Sequence, residues 1–311
     1  MPNSILDQPQ YRDEAAAFAM LESIVWPNGP VCPHCGGTER IYPLNGVKDK
    51  KGRVRLGLKK CGQSRGQFTV RKNTVFESSH VSLHIWFQAA FLMCSSKKGV
   101  SSNQLHRTLG VTLKTAWFMS MRLREAMRVL KMDPIGGEGK FVEADETFVG
   151  GKARNRAYRE PPPKEAVMAL VERGGRVASF HVPNVTAAIL KPIIANALST
   201  DSHFRTDESG VYWEIGEQFA SHRTVVHSAN EYVRGDAHTN TVEGYFSIFK
   251  RGIYGVYQHV SEHHLKRYLA EFDFRYNECV ALGIDDSERT TRALRGIVGK
   301  RLTYRRPGVP G

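Results

Sequence analysis

The stretch FVEADETFVGGK, residues 141–152, follows the linker-like MDPIGGEG of 132–139 and opens a run of β-prone segments. Apolar residues with acids between them read as a strand, in which a carboxylate such as Asp145 is costly to bury unless something compensates its charge. EAVMALVER, GRVASFHVPNV, the helical TAAILKPIIANAL and the strand-like SHFRTDE come next. Three strands, a helix and a further strand predict an α+β layout around a mixed sheet. A helical piece around 212–219, the strand-like RTVVHS and a long amphipathic helix from about Thr239 complete the region.

Three acids stand out in it: Asp145 inside the first strand, Asp207 at the end of HFRTD, and Glu243 early in the helix HTNTVEGYFSIFK. Lys250 follows Glu243 by seven residues, about two helical turns, and so shares its side of the helix. Two carboxylates on adjacent strands and one on a nearby helix can hold two Mg²⁺ about 3.5–4 Å apart, the arrangement that serves phosphodiester transfer. Oxygen ligands select Mg²⁺ or Mn²⁺ over Zn²⁺. The plainer reading is that an acid caps a turn or pairs with an arginine. That reading is adopted for Glu143 and Glu146, taken by the two-residue strand period to point away from Asp145.

Upstream, 84–130 reads as helices. Ser101 or Ser102 can cap one carrying Leu105, and Leu109-Gly110-Val111-Thr112 is a tight turn opening another at Leu113. Helix, glycine-containing turn and a second helix bearing Lys114, Arg122, Arg124 and Arg128 form a helix-turn-helix pattern, against the alternative of a plain helical hairpin. Ala116, Trp117, Met119, Leu123, Ala126 and Met127 of that helix are expected to pack inward.

Further upstream, Cys32-Pro-His-Cys35 is a turn of the kind that presents two thiolates to one Zn²⁺. Cys61-Gly-Gln-Ser64 repeats only its first cysteine. The alternatives are a three-thiolate site completed by water, His34 or another histidine, and a ribbon that folds without metal.

The 311 residues carry 44 Lys+Arg against 31 Asp+Glu, a net charge of +13, with 41% hydrophobic residues and five cysteines. That composition excludes a disordered, collagenous or coiled-coil chain, and the sparse, odd cysteine set does not suit a disulfide scaffold. No apolar run is long enough to span a membrane. The N-terminus has no signal-peptide character, so a cytoplasmic, nucleoid-associated protein is expected. Residues 1–138 hold 20 Lys+Arg against 10 Asp+Glu, whereas 139–280 hold 17 against 18. A basic front half beside a near-neutral middle points to a polyanion as partner, with nucleic acid first.

WPNGPVCPHCGG, QFTVRKNTVFESS, SSKKGVSSNQLHRTLGVTLKTAWFMSMRLREAM, VEADETFVGGK and the run from RGDAHTNTVEGYFSIFK to EFDFRYNE together resemble the bacterial insertion-sequence transposases. These join an N-terminal zinc ribbon and helix-turn-helix to an ISXO-type catalytic domain of the RNase H-like, DDE kind. The resemblance runs from about residue 20 to 280, and with it the chain divides into 1–80 with the ribbon, 81–132 with the helix-turn-helix and 139–280 as catalytic domain, while the Arg-rich 281–311, ending in RRPGVPG, is expected by its composition to be a basic tail that frays. The resemblance implies metal-binding acids at Asp145, Asp207 and Glu243, with Asn240 the alternative third member, and a DNA-holding Lys250. His238 and Asn240 become supporting or DNA-contacting groups, with Thr239 or Asn240 capping the helix. Lys114, Arg122 and Arg124 become DNA contacts. The chain departs from the pattern at Ser64, which leaves Cys32, Cys35 and Cys61 as an incomplete Zn²⁺ set.

The activity this implies is Mg²⁺-dependent cleavage and strand transfer of double-stranded DNA at terminal inverted repeats, by a homodimer assembled on element ends and target. A non-catalytic DNA-binding regulator and a nuclease on the same fold are the rival readings.

Overall fold

The computed structural model describes residues 4–150, 164–229, 231 and 233–303. Gly151 and Lys152 of the opening stretch and the terminal RRPGVPG lie outside the described residues. The chain forms two compact units. One draws on the segments up to residue 96, 100–128 and from 285 onward, and the other on 97–99 and 129–284.

The first unit holds α1 (Glu14–Val25), the short strands β1 (Ile41–Pro43), β2 (Lys59–Cys61) and β3 (Gln67–Phe68), and the helices α2 (Leu83–Ser95), α3 (Ser102–Leu109) and α4 (Leu113–Met127). β1, β2 and β3 pair antiparallel in that order, Ile41 opposite Cys61 and Lys59 opposite Phe68. Cys32, Cys61 and Phe68 are buried beneath them, with Trp26 edge-on to Phe68. The turn between α3 and α4 is built as its residues dictate. The Ser101 hydroxyl accepts from the Gln104 amide, Gly110 takes φ +65°, and the Thr112 hydroxyl accepts from the Thr115 amide.

Two expectations fail in this unit. Arg122 and Arg124 are buried, not presented to a ligand. Arg122 donates to the carbonyls of Val75 and Glu77 at 2.8 and 3.0 Å, and Arg124 to the Ser120 hydroxyl at 2.9 Å. Burial leaves these guanidinium groups tied to structural acceptors. Nor does the segment from 281 fray as a whole, since Asp286–Arg295 form a helix whose Ala293 and Leu294 are buried, with Ile297 beyond it. Arg289 donates to the Cys94 carbonyl at the end of α2, and Lys300 to the carbonyls of Ala126 and Arg128 at the end of α4. At Gly296 a Cβ would stand 2.3 Å from the Ala126 carbonyl, so the approach requires glycine. Pieces of the three segments 1–80, 81–132 and 281–311 therefore share one unit.

The second unit is a five-stranded sheet: β4 (Phe141–Gly150), β5 (Lys164–Glu172), β6 (Val177–Val182), β7 (His203–Thr206) and β8 (Ser221–Thr224), in the order β6-β5-β4-β7-β8. β4, β5 and β6 pair antiparallel, and β4, β7 and β8 parallel. This is the mixed RNase H-like sheet the resemblance implies. α5 (Ala187–Ala197) leads into β7. Its Leu190 and Ile194 pack with Val142, Ala144, Met168, Leu170 and Phe204 in one core. α6 (Asn240–Gly252) and α7 (Glu262–Asn277) follow β8, and the last helix, α8 (Asp286–Arg295), returns to the first unit. α7 is tied to β6 through Asp273, which accepts from the Ser179 amide and hydroxyl and the Tyr245 hydroxyl, and through Asn277, which bonds both polar backbone groups of Val177.

Candidate active site and ribbon thiols

Glu143 lies opposite Arg205 of β7 in parallel register, so two residues further along both chains Asp207 stands abreast of Asp145, just past the end of β7. Glu243 is on the exposed side of the first turn of α6, and Lys250 is exposed at the i+7 position of the same helix. Burial pushes the Asp145 carboxyl up to about 7, against the Glu146 amide that hydrogen-bonds it at 2.7 Å and with the charges of Glu146, Asp207 and Glu243 adding to the rise. Asp207 and Glu243 are therefore each within electrostatic reach of Asp145. The three acids are not drawn into one tight cluster. Among the described residues, the triads whose ligand atoms all lie within 4.8 Å are Cys32–Cys35–Cys61 and Glu165–His181–Glu262.

What seats α6 against β4 is Glu143, which is fully buried. Its carboxylate accepts from the amides of Thr241 and Val242 at 2.7 and 3.0 Å and from the Thr241 hydroxyl at 2.8 Å. On its other side Arg173 donates to it at 2.6 Å, and His238 Nδ1 lies 3.1 Å away. A carboxylate at a helix N-terminus satisfies donors that the helix cannot and suits its dipole. The expected cap from Thr239 or Asn240 is thus replaced. Thr239 donates instead to Glu243 at 2.8 Å, and Asn240 is exposed at the first position of the helix.

The reading that Glu143 and Glu146 both point away from Asp145 is corrected. Residues 143 and 145 share a face of the strand by the very period invoked, and Glu143 does pair with an arginine there. Glu146, on the other face, pairs with no arginine among the described residues. It accepts the Tyr212 hydroxyl at 2.6 Å, and burial followed by the charge of Asp207 raises its carboxyl. Strand parity was the signal that could have singled out Glu143. Tyr212 and Arg173 carried none.

In the ribbon, the Cys35 and Cys61 sulfurs are 3.7 Å apart, and the Ser64 hydroxyl is 3.4 Å from the Cys32 sulfur. The Ser64 amide points at the Cys61 sulfur from 3.4 Å. Hydrogen bonds from the Ser64 hydroxyl and amide draw the Cys61 thiol down to about 6. Burial pushes the Cys32 thiol up, but the Ser64 hydroxyl and the amides of His34 and Cys35 outweigh it and the net direction is down. Cys32 and Cys61 are thus held toward the thiolate form that suits Zn²⁺, whereas for Cys35 the Gly37 amide is outweighed by the neighbouring Cys32 and Cys61 sulfurs and by burial, and the net direction is up.

Two exposed basic features belong to the same unit. Lys48, Lys50, Lys51, Arg53 and Arg55 are exposed on a hairpin bridged at Lys48 and Val54, where Asp49 pairs with Arg53. At the turn between α3 and α4, Arg107 and Lys114 are exposed beside Leu113. No helix among the described residues is long and apolar enough to cross a membrane.

Residues 136–277 match the ISXO2-like transposase domain and residues 12–69 the transposase zinc-ribbon domain. A protein of Halobacterium salinarum described as an uncharacterized protein in transposable element ISH50 is 28% identical over 286 residues, covering 84% of this chain and 90% of its own. A chain in the crystal structure of the Mos1 strand transfer complex aligns over 67% of this chain and 74% of its own, at 13% identity and a TM-score of 0.26.

Proposed function

We infer that this chain, whose residues 136–277 match an ISXO2-like transposase domain and residues 12–69 a transposase zinc ribbon, is an insertion-sequence transposase, an enzyme of the polynucleotidyl-transferase type. We propose that it cleaves DNA at the inverted repeats of its element and joins the freed 3′ ends to target DNA. The observation that carries this reading is the position of Asp145. It stands abreast of Asp207, its carboxyl is pushed up to about 7 by burial and then by the charges of Glu146, Asp207 and Glu243, and a divalent cation would offset both effects.

The donor set is all oxygen, which suits Mg²⁺ or Mn²⁺ held by Asp145, Asp207 and Glu243. When bound, such ions activate the attacking water or 3′-hydroxyl and stabilise the leaving oxygen. The protein's own groups do the positioning. Glu143 fixes the start of α6 and with it Glu243, while Tyr212 holds the Glu146 carboxylate. Lys250, on the exposed side of α6, takes a backbone phosphate. Recognition falls to the first turn of α4, where Lys114 enters the major groove, and to the basic hairpin at 48–55, which grips phosphates. Two ends must be brought together, so the active form is a homodimer on DNA.

The test is cleavage of DNA carrying the element's repeats, with Mg²⁺ or EDTA, by wild type and by Asp145→Asn and Glu243→Gln, read on a sequencing gel. Cutting at the repeat tips and joining to target by wild type alone, in Mg²⁺ alone, is the expected result. Binding without cutting under any metal would install the regulator reading, and nicking without joining the nuclease reading.

A further inference from the structure

We infer that the Ser64 hydroxyl is the fourth ligand of the ribbon metal, so that this ribbon holds Zn²⁺ with three thiolates and one neutral oxygen. The inference rests on the ribbon taking up zinc at all, and its test separates the two claims.

Tetrahedral zinc with Zn–S near 2.3 Å requires sulfurs about 3.8 Å apart, and with Zn–O near 2.1 Å it requires oxygen and sulfur about 3.6 Å apart. The Cys35 and Cys61 sulfurs are 3.7 Å apart, and the Ser64 hydroxyl is 3.4 Å from the Cys32 sulfur. These two edges are close to those a tetrahedral site requires, and the three sulfurs all lie within 4.8 Å of one another. The second knuckle is complete in backbone terms as well, because the Ser64 amide aims at Cys61 while the first knuckle's amides aim at Cys32. Ser64 thus occupies the slot that a fourth cysteine would fill, by sequence position and by distance.

Two other donors are near and fit less well. His34 is exposed, with its ring against Gly66, and only the three cysteines of this region close to within 4.8 Å. The Gln63 carbonyl oxygen is 3.8 Å from the Cys35 sulfur, but Gln63 stands one residue before the ligand position of the knuckle.

Replacing a thiolate by a hydroxyl leaves the site one negative charge poorer and exchanges a soft donor for a weak one. The metal should therefore be held less tightly and exchange faster than in a four-thiolate ribbon. The fold need not depend on it, because Phe68, Trp26 and Ile41 pack around Cys32 and Cys61.

The experiment titrates the full-length protein with Co²⁺, read by its visible and thiolate charge-transfer absorption, and with Zn²⁺ in competition with a chromogenic chelator. The variants are Ser64→Ala, Ser64→Thr, Ser64→Cys and Gln63→Ala. Expected are tenfold or greater weakening in Ser64→Ala, recovery in Ser64→Thr, and hundredfold tightening with added charge-transfer intensity in Ser64→Cys. Gln63→Ala should match wild type. A Ser64→Ala protein with wild-type affinity and spectrum, or weakening in Gln63→Ala instead, would overturn the assignment while leaving a zinc ribbon. Wild type that binds no more cobalt than Cys61→Ser would overturn the ribbon metal itself.

Discussion

The ribbon thiols and the three acids are the two sets of candidate metal ligands, yet they are arranged differently. The ribbon's sulfurs and the Ser64 hydroxyl already stand at coordination-edge distances, whereas the three carboxylates approach only to the range where they repel. Thiols can pack together because they are neutral when protonated, and neighbouring amides steady whichever sulfur ionises. Carboxylates ionise near pH 4, so gathering them costs energy until a cation arrives. The thiols are gathered by packing, whereas the carboxylates stand further apart, with Asp145 raised by burial and then by its acidic neighbours.

The sharpest way to break this contrast is to neutralise one acid. Asp145→Asn should abolish cleavage, by a thousandfold or more, and should raise the melting temperature in EDTA because repulsion is relieved. Added Mg²⁺ should stabilise wild type and not the variant. A wild-type melting curve indifferent to Mg²⁺ would dissolve the contrast.

Glu143 sharpens the point, since it is a buried carboxylate with every lone pair engaged. Glu143→Ala strands Arg173 and two helix amides and should cost about 3–5 kcal/mol by denaturant unfolding. Cleavage per folded molecule should fall as well. Loss of stability with full activity would show that Glu243 is placed by something else.

Asp273 is the titratable member of the acid side away from the triad. Burial pushes its carboxyl up to about 6, against three donated hydrogen bonds. An acid whose folded value lies above its unfolded value near 4 contributes stability that is fully present below pH 4 and is lost as pH rises through 6. The loss should amount to at most about 2–3 kcal/mol. Melting curves between pH 4 and 7 should show it, and Asp273→Asn should flatten them. Ribbon cobalt uptake should follow the opposite trend, rising with pH as protons leave the thiols.

The smallest effect separates arginines that sequence alone could not. Lys114→Ala should weaken DNA binding a fewfold and reduce its salt dependence without touching stability. Arg122→Ala should cost about 1–3 kcal/mol of stability and leave the affinity of the folded protein unchanged.

These cases show what was legible. The strand at 141–150, the positions of Asp145 and Asp207 and the helix of Glu243 follow from apolar spacing, which local chemistry dictates. Arg122 and Arg124 looked like DNA contacts because charge on a helix normally means an exposed face. Their burial comes from residues 75–77 and from the distant α8 packing around α4, which no local period encodes. Glu143 shares the face of Asp145 by strand parity, a signal the sequence carries, whereas the motif at Ser64 shows only a missing thiol and the distances show what its hydroxyl can do.

The first unit is interrupted in sequence by the second, and it closes only when Arg289 of α8 reaches Cys94, 195 residues back along the chain. This bears on synthesis. A ribosome that stalls within the catalytic unit, or a frame lost there, releases the ribbon and the helix-turn-helix without the helix that covers α2 and α4. Such a fragment exposes the apolar surface that Ala293, Leu294 and Ile297 would have buried, and proteases should clear it. The fold makes completion of the first unit conditional on translation past the whole of the second.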